Sequence, residues 1–418
     1  MPSNEGIGFA NRADPFKVLV VGGSYGGLGA TLNLLDLCNG RPARFASDPS
    51  ASHIPSRIPV DITVVDERDG YFHLISSPLA LASNEYAPKS WTKFDSIPAL
   101  KNVRCIRGSV KSVDCKRRQA LITETNTQSE LTMNYDFLVA GSGLRRVWPV
   151  VPQATIREEF LEEVATQVQS LKDSQDGVVV VGGGAVGIEM AAEIKLVMPE
   201  QKVTLIHSRD KLCSAEPLPD EFKDRCLTTL HEAGVETIMN QRVLDTETSR
   251  RDDGTIVSKL RLANGTTITA GQVIHAISKS SPSTTYLPKA ALDEEGYVKV
   301  APSLNFLPDM PNSQYHFAVG DIAKWSGIKR CGAAMHMGQY AAQNIHQLML
   351  KQVQGTKPKF MELDEIPPMI GIAIGKQAVA YYPGDGTTFG EDMMQKLFGD
   401  DLGNMICWNY MQLGKEFP

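Results

Sequence analysis

The sequence predicts an α/β protein in which one strand–turn–helix unit occurs twice. Val18–Gly27 reads VLVVGGSYGG, and Val178–Gly187, 160 positions later, reads VVVVGGGAVG. Each segment opens with four aliphatic residues, which is typical of a parallel strand that is buried on both faces. Each then turns through glycines into an apolar helix, predicted at Leu28–Leu37 and at Ile188–Val197. The repeat therefore predicts two parallel sheets, each with a glycine turn after its first strand.

The two copies continue in parallel after their first helices. A second hydrophobic strand is predicted at Asp61–Val65 and at Lys202–Ile206. Polar-alternating segments then predict antiparallel strands, and a short buried strand closes each copy. These segments are Val110–Ile122, Glu130–Met133 and Tyr135–Ala140 in the first copy, and Lys259–Ile268 and Gln272–Ala276 in the second. Asn264-Gly265 predicts a two-residue hairpin turn.

The first copy carries an insertion, and the chain continues after the second copy. Asn39–Pro59 is rich in Pro, Ser and Arg, and we interpret it as a tolerated surface loop. A helix is predicted from about Ala333 to Val353, followed by a polar linker at Gly355–Lys359. From Phe360 onward the pattern predicts strands, and an amphipathic segment follows around Glu391–Phe398.

Composition favours a globular protein of two or three domains. The chain has 418 residues, 42% of them hydrophobic, and a formal net charge of −6. The acidic balance argues against nucleic-acid binding, and no apolar run approaches the roughly 18 residues of a membrane-spanning helix. Residues 1–15 lack an apolar signal core, and Pro2 removes the glycine that N-myristoylation requires. We therefore expect a cytoplasmic protein, and peripheral membrane association stays open.

Seven cysteines are too scattered for a disulfide framework or a cysteine-rich zinc site. They are Cys38, Cys105, Cys115, Cys213, Cys226, Cys331 and Cys407. The count is odd, the shortest gap is ten residues, and no CxxC pair occurs. We expect reduced, mostly buried thiols and no metal site.

The two glycine turns predict dinucleotide binding. A strand that runs through glycines into a helix presents backbone N–H groups and the positive helix end to a pyrophosphate. Such turns also occur for packing alone, but here the pattern is duplicated, complete in the second copy and with Ser24 at the middle position of the first. The predicted nucleotide-binding residues are Gly22, Gly23, Ser24, Tyr25, Gly26 and Gly27, and Gly182, Gly183, Gly184, Ala185, Val186 and Gly187.

The end of the second strand differs between the copies. Asp66, followed by Glu67 and Arg68, provides a carboxylate that can accept hydrogen bonds from the adenosine ribose of FAD or NAD. The alternative is a solvated acidic strand end.

The second copy has His207-Ser208-Arg209 at this place and no acid. These side chains would accept a 2′-phosphate, which a carboxylate would repel. We therefore expect NADPH to be preferred or at least accepted, and dual use of NADH and NADPH stays open.

The arrangement resembles the two-dinucleotide-binding-domain flavoprotein oxidoreductases. Two Rossmann-like folds are followed by Val319-Gly320-Asp321, and Tyr135–Gly143 resembles the family's "ATG" segment. The resemblance, which spans roughly Lys17 to His346, implies FAD in the first fold and NAD(P)H in the second, inserted fold. It implies Asp321 as a ligand of the flavin ribityl chain or pyrophosphate. Val110, Ala140 and Gly141 (where Thr is usual) complete the expected FAD site.

The resemblance also implies four segments. Residues 1–150 and 281–355 would form the FAD-binding domain and residues 151–280 the NAD(P)H-binding domain. Residues 356–418 would form a small α+β region at an interface or acceptor site. We expect a monomer or a homodimer.

Two segments resemble the apoptosis-inducing-factor-like branch of this superfamily, which includes the ferroptosis suppressor and, more distantly, type II NADH dehydrogenases. They are VVDERDGYFHLISSP at 64–78 and VTLIHS at 203–208. Members of this branch reduce quinones with NAD(P)H. The disulfide-reductase branch instead has a redox cysteine pair just after the first acidic strand end, and residues 67–104 contain no cysteine.

The expected chemistry is hydride transfer from NAD(P)H to flavin N5, followed by electron transfer to a quinone-like acceptor. Two alternatives stay open: a flavoprotein that acts on a small organic substrate of a biosynthetic pathway, and a redox-sensing or scaffold flavoprotein with slow turnover.

Several side chains have both a functional and a structural interpretation. Glu189 is expected to touch the nicotinamide, or else to be an acid at a helix start that the helix dipole favours. His336 is a candidate proton donor, or else a structural histidine. Four residues that follow Asp66 are expected either to line the flavin pocket or to have only a packing role: Tyr71, Phe72, His73 and Pro78.

Overall fold

A computed structural model describes residues 14–45, 57–277 and 280–416. The expectations for the extreme N-terminus, including Pro2, lie outside these residues, as does the middle of the insertion. The helices are α1 Tyr25–Cys38, α2 Ser77–Ala80, α3 Arg157–Lys172, α4 Ala185–Val197, α5 Asp220–Glu232, α6 Cys331–Gln354, α7 Glu391–Leu397 and α8 Asn404–Tyr410.

The strands are short except in the antiparallel segments. In the first copy they are β1 Phe16–Val21, β2 Val60–Asp66, β3 Gly70–Phe72, β4 Trp91–Lys93, β5 Arg104–Asp114, β6 Gln119–Glu124, β7 Glu130–Asn134, β8 Phe137–Ala140 and β9 Leu144–Arg145. In the second copy they are β10 Val178–Val181, β11 Val203–Ile206, β12 Glu236–Ile238, β13 Val243–Arg250, β14 Ile256–Leu262, β15 Thr267–Ala270 and β16 Gln272–His275. The remaining strands are β17 Ser281–Pro282, β18 Val298–Lys299, β19 His316–Ala318, β20 Ala323–Lys324, β21 Ile370–Ile374, β22 Gln377–Tyr382 and β23 Gly386–Gly390.

A seven-stranded sheet forms the first fold, in the order β19-β8-β1-β2-β5-β6-β7. The first five strands pair in parallel, and β5 also pairs antiparallel with β6, with a register shift between Val110 and Ser112. Strand β19 joins this sheet only after the second copy is complete. The α/β prediction is therefore confirmed, with the second fold inserted in the first.

The second fold has a four-stranded parallel sheet, β12-β11-β10-β16, with the antiparallel sheet β13-β14-β15 beside it. Strand β10 consists of four buried valines, as the aliphatic run predicts. The predicted two-residue hairpin turn is wrong by one residue. Leu262 N–H bonds to Thr266 O, so three residues, Ala263–Gly265, lie between the last hydrogen-bonded pair of the hairpin, and Gly265 takes the left-handed φ of +86°. A left-handed glycine at the last position is typical of three-residue turns.

Helices α1 and α6 approach each other closely along glycines. A Cβ on Gly338 of α6 would lie 2.4 Å from Gly26 O of α1, and one on Gly29 would lie 2.9 Å from Met335 O. Close backbone contact of this kind requires residues without side chains. It places the first turns of α6 beside the first glycine turn.

The C-terminal region is an antiparallel sheet, β21-β22-β23, followed by two short helices. The strands begin at Ile370 and not at Phe360, because residues 360–369 have no regular structure. The amphipathic segment predicted around Glu391–Phe398 is helix α7.

The insertion is more than the tolerated surface loop that we expected. Arg44 pairs with Asp36 at 2.8 Å, its side chain is fully buried, and it donates to Met411 O. The Phe45 ring stacks on Tyr410 with their centroids 4.5 Å apart. The described start of the insertion therefore packs against the C-terminal region.

The seven thiols are all free, and five of them are buried, as expected for reduced cysteines.

Within residues 14–45, 57–277 and 280–416, no helix has the length and apolar character that crossing a bilayer requires. The same residues contain no group of three or more His, Cys, Asp or Glu side chains arranged to hold a metal ion.

Candidate functional site

The first glycine turn is closed by backbone on both sides. Gly22 has a φ of +106°, and a Cβ there would lie 2.4 Å from Gly141 O. A Cβ on Gly27 would lie only 1.7 Å from Gly22 O. Ser24 is the N-cap of α1, and its side chain makes no capping bond, so the N–H groups that begin the helix are available to an anion. The turn has the geometry that a bound pyrophosphate needs.

Asp66 closes this turn from the end of β2. Its Oδ2 accepts the Gly23 N–H at 2.6 Å, and its Oδ1 accepts the Arg68 N–H at 2.8 Å. Burial raises the pKa of Asp66, whereas these two bonds and the Arg68 charge oppose that increase. Asp66 is therefore a fixed acceptor beside the turn and not a solvated strand end.

A cavity of about 290 Å³ extends from this turn. Of the predicted residues, it is lined by Gly22, Asp66, Glu67, Arg68 and Val110. Arg145, which sequence reasoning missed, also lines the cavity, and its guanidinium forms an ion pair with the Glu67 carboxylate at 2.6 Å. Ala140, the last residue of β8, pairs with Val21, which lines the cavity. A polar cavity that begins at a glycine turn and contains a fixed carboxylate fits the adenosine half of FAD.

Asp321 lies in a short helical turn at Gly320–Ile322, after β19. Its carboxylate is 3.7 Å from the guanidinium of Arg146, which also lines the cavity. Burial raises the pKa of Asp321, and the charges of Arg146 and Lys329 act in the opposite direction. Sequence reasoning missed Arg146, although the two arginines that follow Leu144, just after the Gly141–Gly143 segment, were a usable signal for an anion site.

The residues after β2 form a buried polar cluster. His73 Nδ1 lies 3.0 Å from Tyr25 Oη and 3.1 Å from Tyr71 Oη. His73 Nε2 donates to Leu402 O at 2.9 Å, so Nδ1 is the acceptor. Burial lowers the pKa of His73 to about 4, and the ring is neutral at pH 7.

Phe72 and Pro78 are also buried. The Phe72 ring packs on Trp91 and Phe160, with centroids 5.5 and 5.3 Å away. Packing is therefore the role that the structure gives to Phe72.

The second glycine turn repeats the first. Gly182 has a φ of +123°, and a Cβ on Gly187 would lie 1.9 Å from Gly182 O. A Cβ on Gly184 would meet no atom within 4 Å, so space is open on that side of the turn. Helix α4 begins there with Ala185 and Val186. This space fits the pyrophosphate of NAD(P)H.

His207 occupies in the second copy the place of Asp66. Its Nδ1 accepts the Gly183 N–H at 3.1 Å, and its Nε2 donates to Ser214 Oγ at 3.1 Å. Burial and the nearby Arg209 lower the pKa of His207, so the ring is neutral at pH 7. His207 therefore offers a 2′-phosphate neither a positive charge nor the repulsion of a carboxylate. Ser208 and Arg209 are exposed at the strand end and keep the expected position.

Glu189 is buried in α4 under the C-terminal sheet. Its Oε1 accepts the Ala373 N–H at 3.3 Å. Burial raises the pKa of Glu189 to about 8, and the nearby Glu193 acts in the same direction. The alternative of an ordinary acid that the dipole stabilises at a helix start is therefore wrong, while contact with the nicotinamide stays a prediction.

His336 lies in the second turn of α6 and is exposed. Its Nε2 is 2.8 Å from Tyr410 Oη, and that tyrosine stacks on Phe45. Loss of hydration and the Arg330 charge lower the pKa of His336. The structure thus places His336 against the C-terminal region, and its role as a proton donor stays a prediction.

Sequence reasoning also missed a contact between two distant thiols. The thiols of Cys331, the first residue of α6, and Cys407 of α8 lie close enough for each to affect the proton affinity of the other. This interaction lowers the pKa of Cys331 and raises that of Cys407. No spacing pattern could have indicated the contact, because the two residues come from separate helices.

Comparison with known proteins agrees with this geometry. A family model described as pyridine nucleotide-disulphide oxidoreductase matches residues 16–338. The chain belongs to this family. Like other members, it is an NAD(P)H-dependent flavin oxidoreductase whose cofactors are FAD and NAD(P)H. The glycine turns, Asp66 and the Arg146–Asp321 pair have the chemistry that these cofactors require.

Similar proteins include an oxidoreductase of Ajellomyces capsulatus, Oxidoreductase OXR1. It is 54% identical over 424 residues, covering 99% of this chain and 92% of the relative. Ferroptosis suppressor protein 1 of Mus musculus is 26% identical over 348 residues, covering 82% and 83%. The expected likeness to the ferroptosis-suppressor and apoptosis-inducing-factor branch is confirmed.

Solved structures with low sequence identity share the fold. NDH2 from Plasmodium falciparum superposes with a TM-score of 0.66 at 12% identity, covering 96% of this chain and 97% of NDH2. A NAD-dependent persulfide reductase from A. fulgidus has a TM-score of 0.65 at 19% identity, covering 91% of this chain. The chain spans only 65% of that reductase's length.

Proposed function

We propose that this oxidoreductase takes reducing equivalents from NADPH, in preference to NADH, and delivers them to a quinone-like small molecule. The proposal rests on one difference between the two glycine turns. A backbone N–H of each turn donates to a side chain, and that side chain is not the same in the two copies. Asp66 closes the first turn, and His207 closes the second. A nucleotide without a 2′-phosphate suits the first turn, and one with a 2′-phosphate suits the second.

The first fold would hold FAD through three parts of the chain. Backbone N–H groups at the Gly22–Gly27 turn would bind the pyrophosphate, and Asp66 would accept from the ribose hydroxyls. Arg146 and Asp321, 3.7 Å apart, would bind the pyrophosphate and the ribityl chain. When bound, FAD accepts a hydride from the nicotinamide and passes electrons to a second acceptor.

The second fold would select NADPH by charge. Asp66 has a fixed carboxylate near its glycine turn, whereas the equivalent group in the second copy, His207, is neutral. A 2′-phosphate would therefore meet no repulsion from this side chain. Arg209, exposed beside it, would add a charge-assisted hydrogen bond.

The C-terminal region would separate the reacting groups from water. Strand β21 covers Glu189, and Leu402 O binds His73. A dry site strengthens the electrostatic interactions inside it and limits side reactions of the reduced flavin.

The quinone-like acceptor is supported by the likeness to the ferroptosis-suppressor branch and needs a direct test. Steady-state NADPH oxidation should be measured with a panel of soluble quinones, with oxygen as the control acceptor. We expect quinones to raise turnover at least about 10-fold above the rate with oxygen. Rapid flavin reduction without quinone turnover would instead favour a specialised organic substrate. A reduced protein that turns over with no acceptor would favour a sensing or scaffold role.

A further inference from the structure

A second cavity lies near the C-terminal end of α4, whereas the glycine turn lies at the N-terminal end of this helix. It has a volume of about 430 Å³ and lies between α4, the β21–β22 turn and the segment that joins α7 to α8. Leu79, Met394 and Leu402 provide an apolar wall. A pocket of several hundred cubic ångströms is large enough for a small organic molecule. The proposed function makes no use of this cavity.

Glu193 lines this cavity, and one of its two carboxylate oxygens has no hydrogen-bond partner among the described residues. The residue is 1% exposed, and its Oε1 has no hydrogen bond within the described chain. Burial raises the pKa of Glu193 to about 8. Burying a carboxyl group without a partner is costly, and such groups are concentrated at functional sites. Glu193 is therefore best explained by a ligand that supplies the missing partner.

The charges around the cavity favour a cation. Glu391 and Asp400 lie at its exposed rim, and Lys376 is the opposing charge. Asp400 is held in place because its Oδ1 accepts from Gln395 Nε2 at 2.8 Å. With Glu193 ionised, three carboxylates face one ammonium group. The described residues contain no His, Cys, Asp or Glu cluster that suits a metal ion, so an organic cation fits better.

We propose that this cavity binds an organic ammonium ion with an apolar chain, and that Glu193 is the counter-ion. The ammonium group would lie against the Glu193 carboxylate, and the chain would contact Leu79, Met394 and Leu402. At pH 7 Glu193 is mostly protonated. Binding therefore ionises Glu193, and its proton passes to the buffer while the ligand keeps its own charge.

One residue, Leu402, connects this cavity to the buried cluster of Tyr25, His73 and Tyr71. Leu402 contributes to the apolar wall, and its carbonyl accepts the His73 Nε2 hydrogen bond at 2.9 Å. The neighbouring Asp401 O accepts from Tyr86 Oη at 2.8 Å. The ligand site and the Tyr25–His73–Tyr71 cluster are thus supported by the same turn of the chain.

Isothermal titration calorimetry on the full-length, FAD-loaded protein tests the proposal, with hexylammonium chloride as the probe. Titrations at pH 7 in phosphate and in Tris, whose ionisation enthalpies differ, report proton exchange. We expect saturable one-to-one binding with release of close to one proton per ligand. 1-Hexanol, which has the same chain and no charge, should bind at least about 10-fold more weakly. Absence of saturable binding, or equal binding of hexanol, would overturn the proposal.

Variants locate the site. Glu193→Gln keeps the side-chain size, and we expect it to abolish proton release and weaken binding at least about 10-fold. Glu391→Gln at the exposed rim should keep proton release and weaken binding less than about 3-fold. Flavin content and melting temperature check that each variant is folded. Unchanged proton release in Glu193→Gln would contradict the proposal.

A matched pair of lysine substitutions provides a test that keeps the buried acid. Leu196 and Val197 are neighbours on α4, and each is 37% exposed, but only Leu196 lines the cavity. The ammonium group of Leu196→Lys should occupy the cavity and block hexylammonium binding. Val197→Lys should bind the probe like the unmodified protein. Equal effects of the two substitutions would contradict the assignment of the site.

Discussion

The two halves of the repeat close their glycine turns in the same way but with different side chains. Gly23 N–H bonds to Asp66 Oδ2 at 2.6 Å, and Gly183 N–H bonds to His207 Nδ1 at 3.1 Å. The backbone contact is conserved between the copies while its charge is not. A duplicated fold can therefore keep one architecture and change its nucleotide by exchanging one acceptor.

The surroundings of the two turns differ as well. The first turn faces α6 and the Arg146–Asp321 pair, which together can enclose a tightly held group. The second turn has open space at Gly184 and the exposed Arg209 at its edge. This difference is what a permanently bound cofactor and an exchanging cosubstrate require.

The largest expected effects come from the third glycine of each turn. A Cβ at Gly27 or Gly187 would lie 1.7 or 1.9 Å from a carbonyl oxygen, so the backbone must move. We expect Gly27→Ala to lower the flavin content of the purified protein to less than about a tenth. Gly187→Ala should keep its flavin, and NAD(P)H should reduce that flavin at least about 100-fold more slowly. Flavin absorbance and stopped-flow reduction measure the two effects. Equal flavin loss in both variants would mean that the turns do not have separate cofactors.

Asp321→Ala should lose most of the bound flavin, with an affinity for FAD about 10 to 100 times weaker. Removing a carboxylate that accepts a cofactor hydrogen bond and pairs with Arg146 costs about 1.5–3 kcal/mol. Titration of the deflavinated protein with FAD, followed by flavin fluorescence, gives the affinity. Asp309→Ala, an exposed acid nearby in sequence, serves as the control. Full flavin occupancy in Asp321→Ala would remove Asp321 from the flavin site.

Arg209→Ala should raise the KM for NADPH about 10-fold and the KM for NADH less than about 2-fold. The reason is that the 2′-phosphate, to which Arg209 would make a charge-assisted hydrogen bond, is present in NADPH and absent from NADH. Steady-state kinetics with both nucleotides measure the ratio. Arg261→Ala, an exposed arginine of β14, is the matched control. A similar change for both nucleotides would assign Arg209 a general role.

His207→Asp should make the second turn resemble the first. The new carboxylate can still accept the Gly183 N–H, but it repels a 2′-phosphate. We expect the preference for NADPH over NADH to fall about 3- to 10-fold. His207→Asn accepts the same hydrogen bond without a charge and should change the preference less. If the aspartate and asparagine variants behave alike, charge at this position does not select the nucleotide.

Local patterns in the sequence predicted the repeat, because glycine turns and aliphatic strands are short-range features. The position of Asp66 beside the glycine turn followed from its place at the end of β2, and its contact with the ribose stays a prediction. The neutral state of His207 could not be predicted, since it depends on burial and on the Ser214 hydrogen bond.

Long-range contacts account for the other differences. Arg44 donates to Met411 O, which is 367 positions away in the chain, and no pattern near the insertion indicates this bond. Glu193 on α4, whose Oε1 has no hydrogen-bond partner in the described chain, is buried under elements from the far end of the chain. A composition-based interpretation of residues 39–59 as a tolerated loop therefore missed its packing.

Anaerobic stopped-flow reduction of the flavin-loaded protein tests the central claim most directly. NADPH and NADH are each mixed with the protein, and the visible absorption band of the flavin is followed over time. We expect both nucleotides to bleach the band completely, with half-saturation by NADPH at a concentration at least about 10-fold lower than by NADH. A flavin-loaded protein whose band neither nucleotide bleaches would contradict the assignment of the two turns.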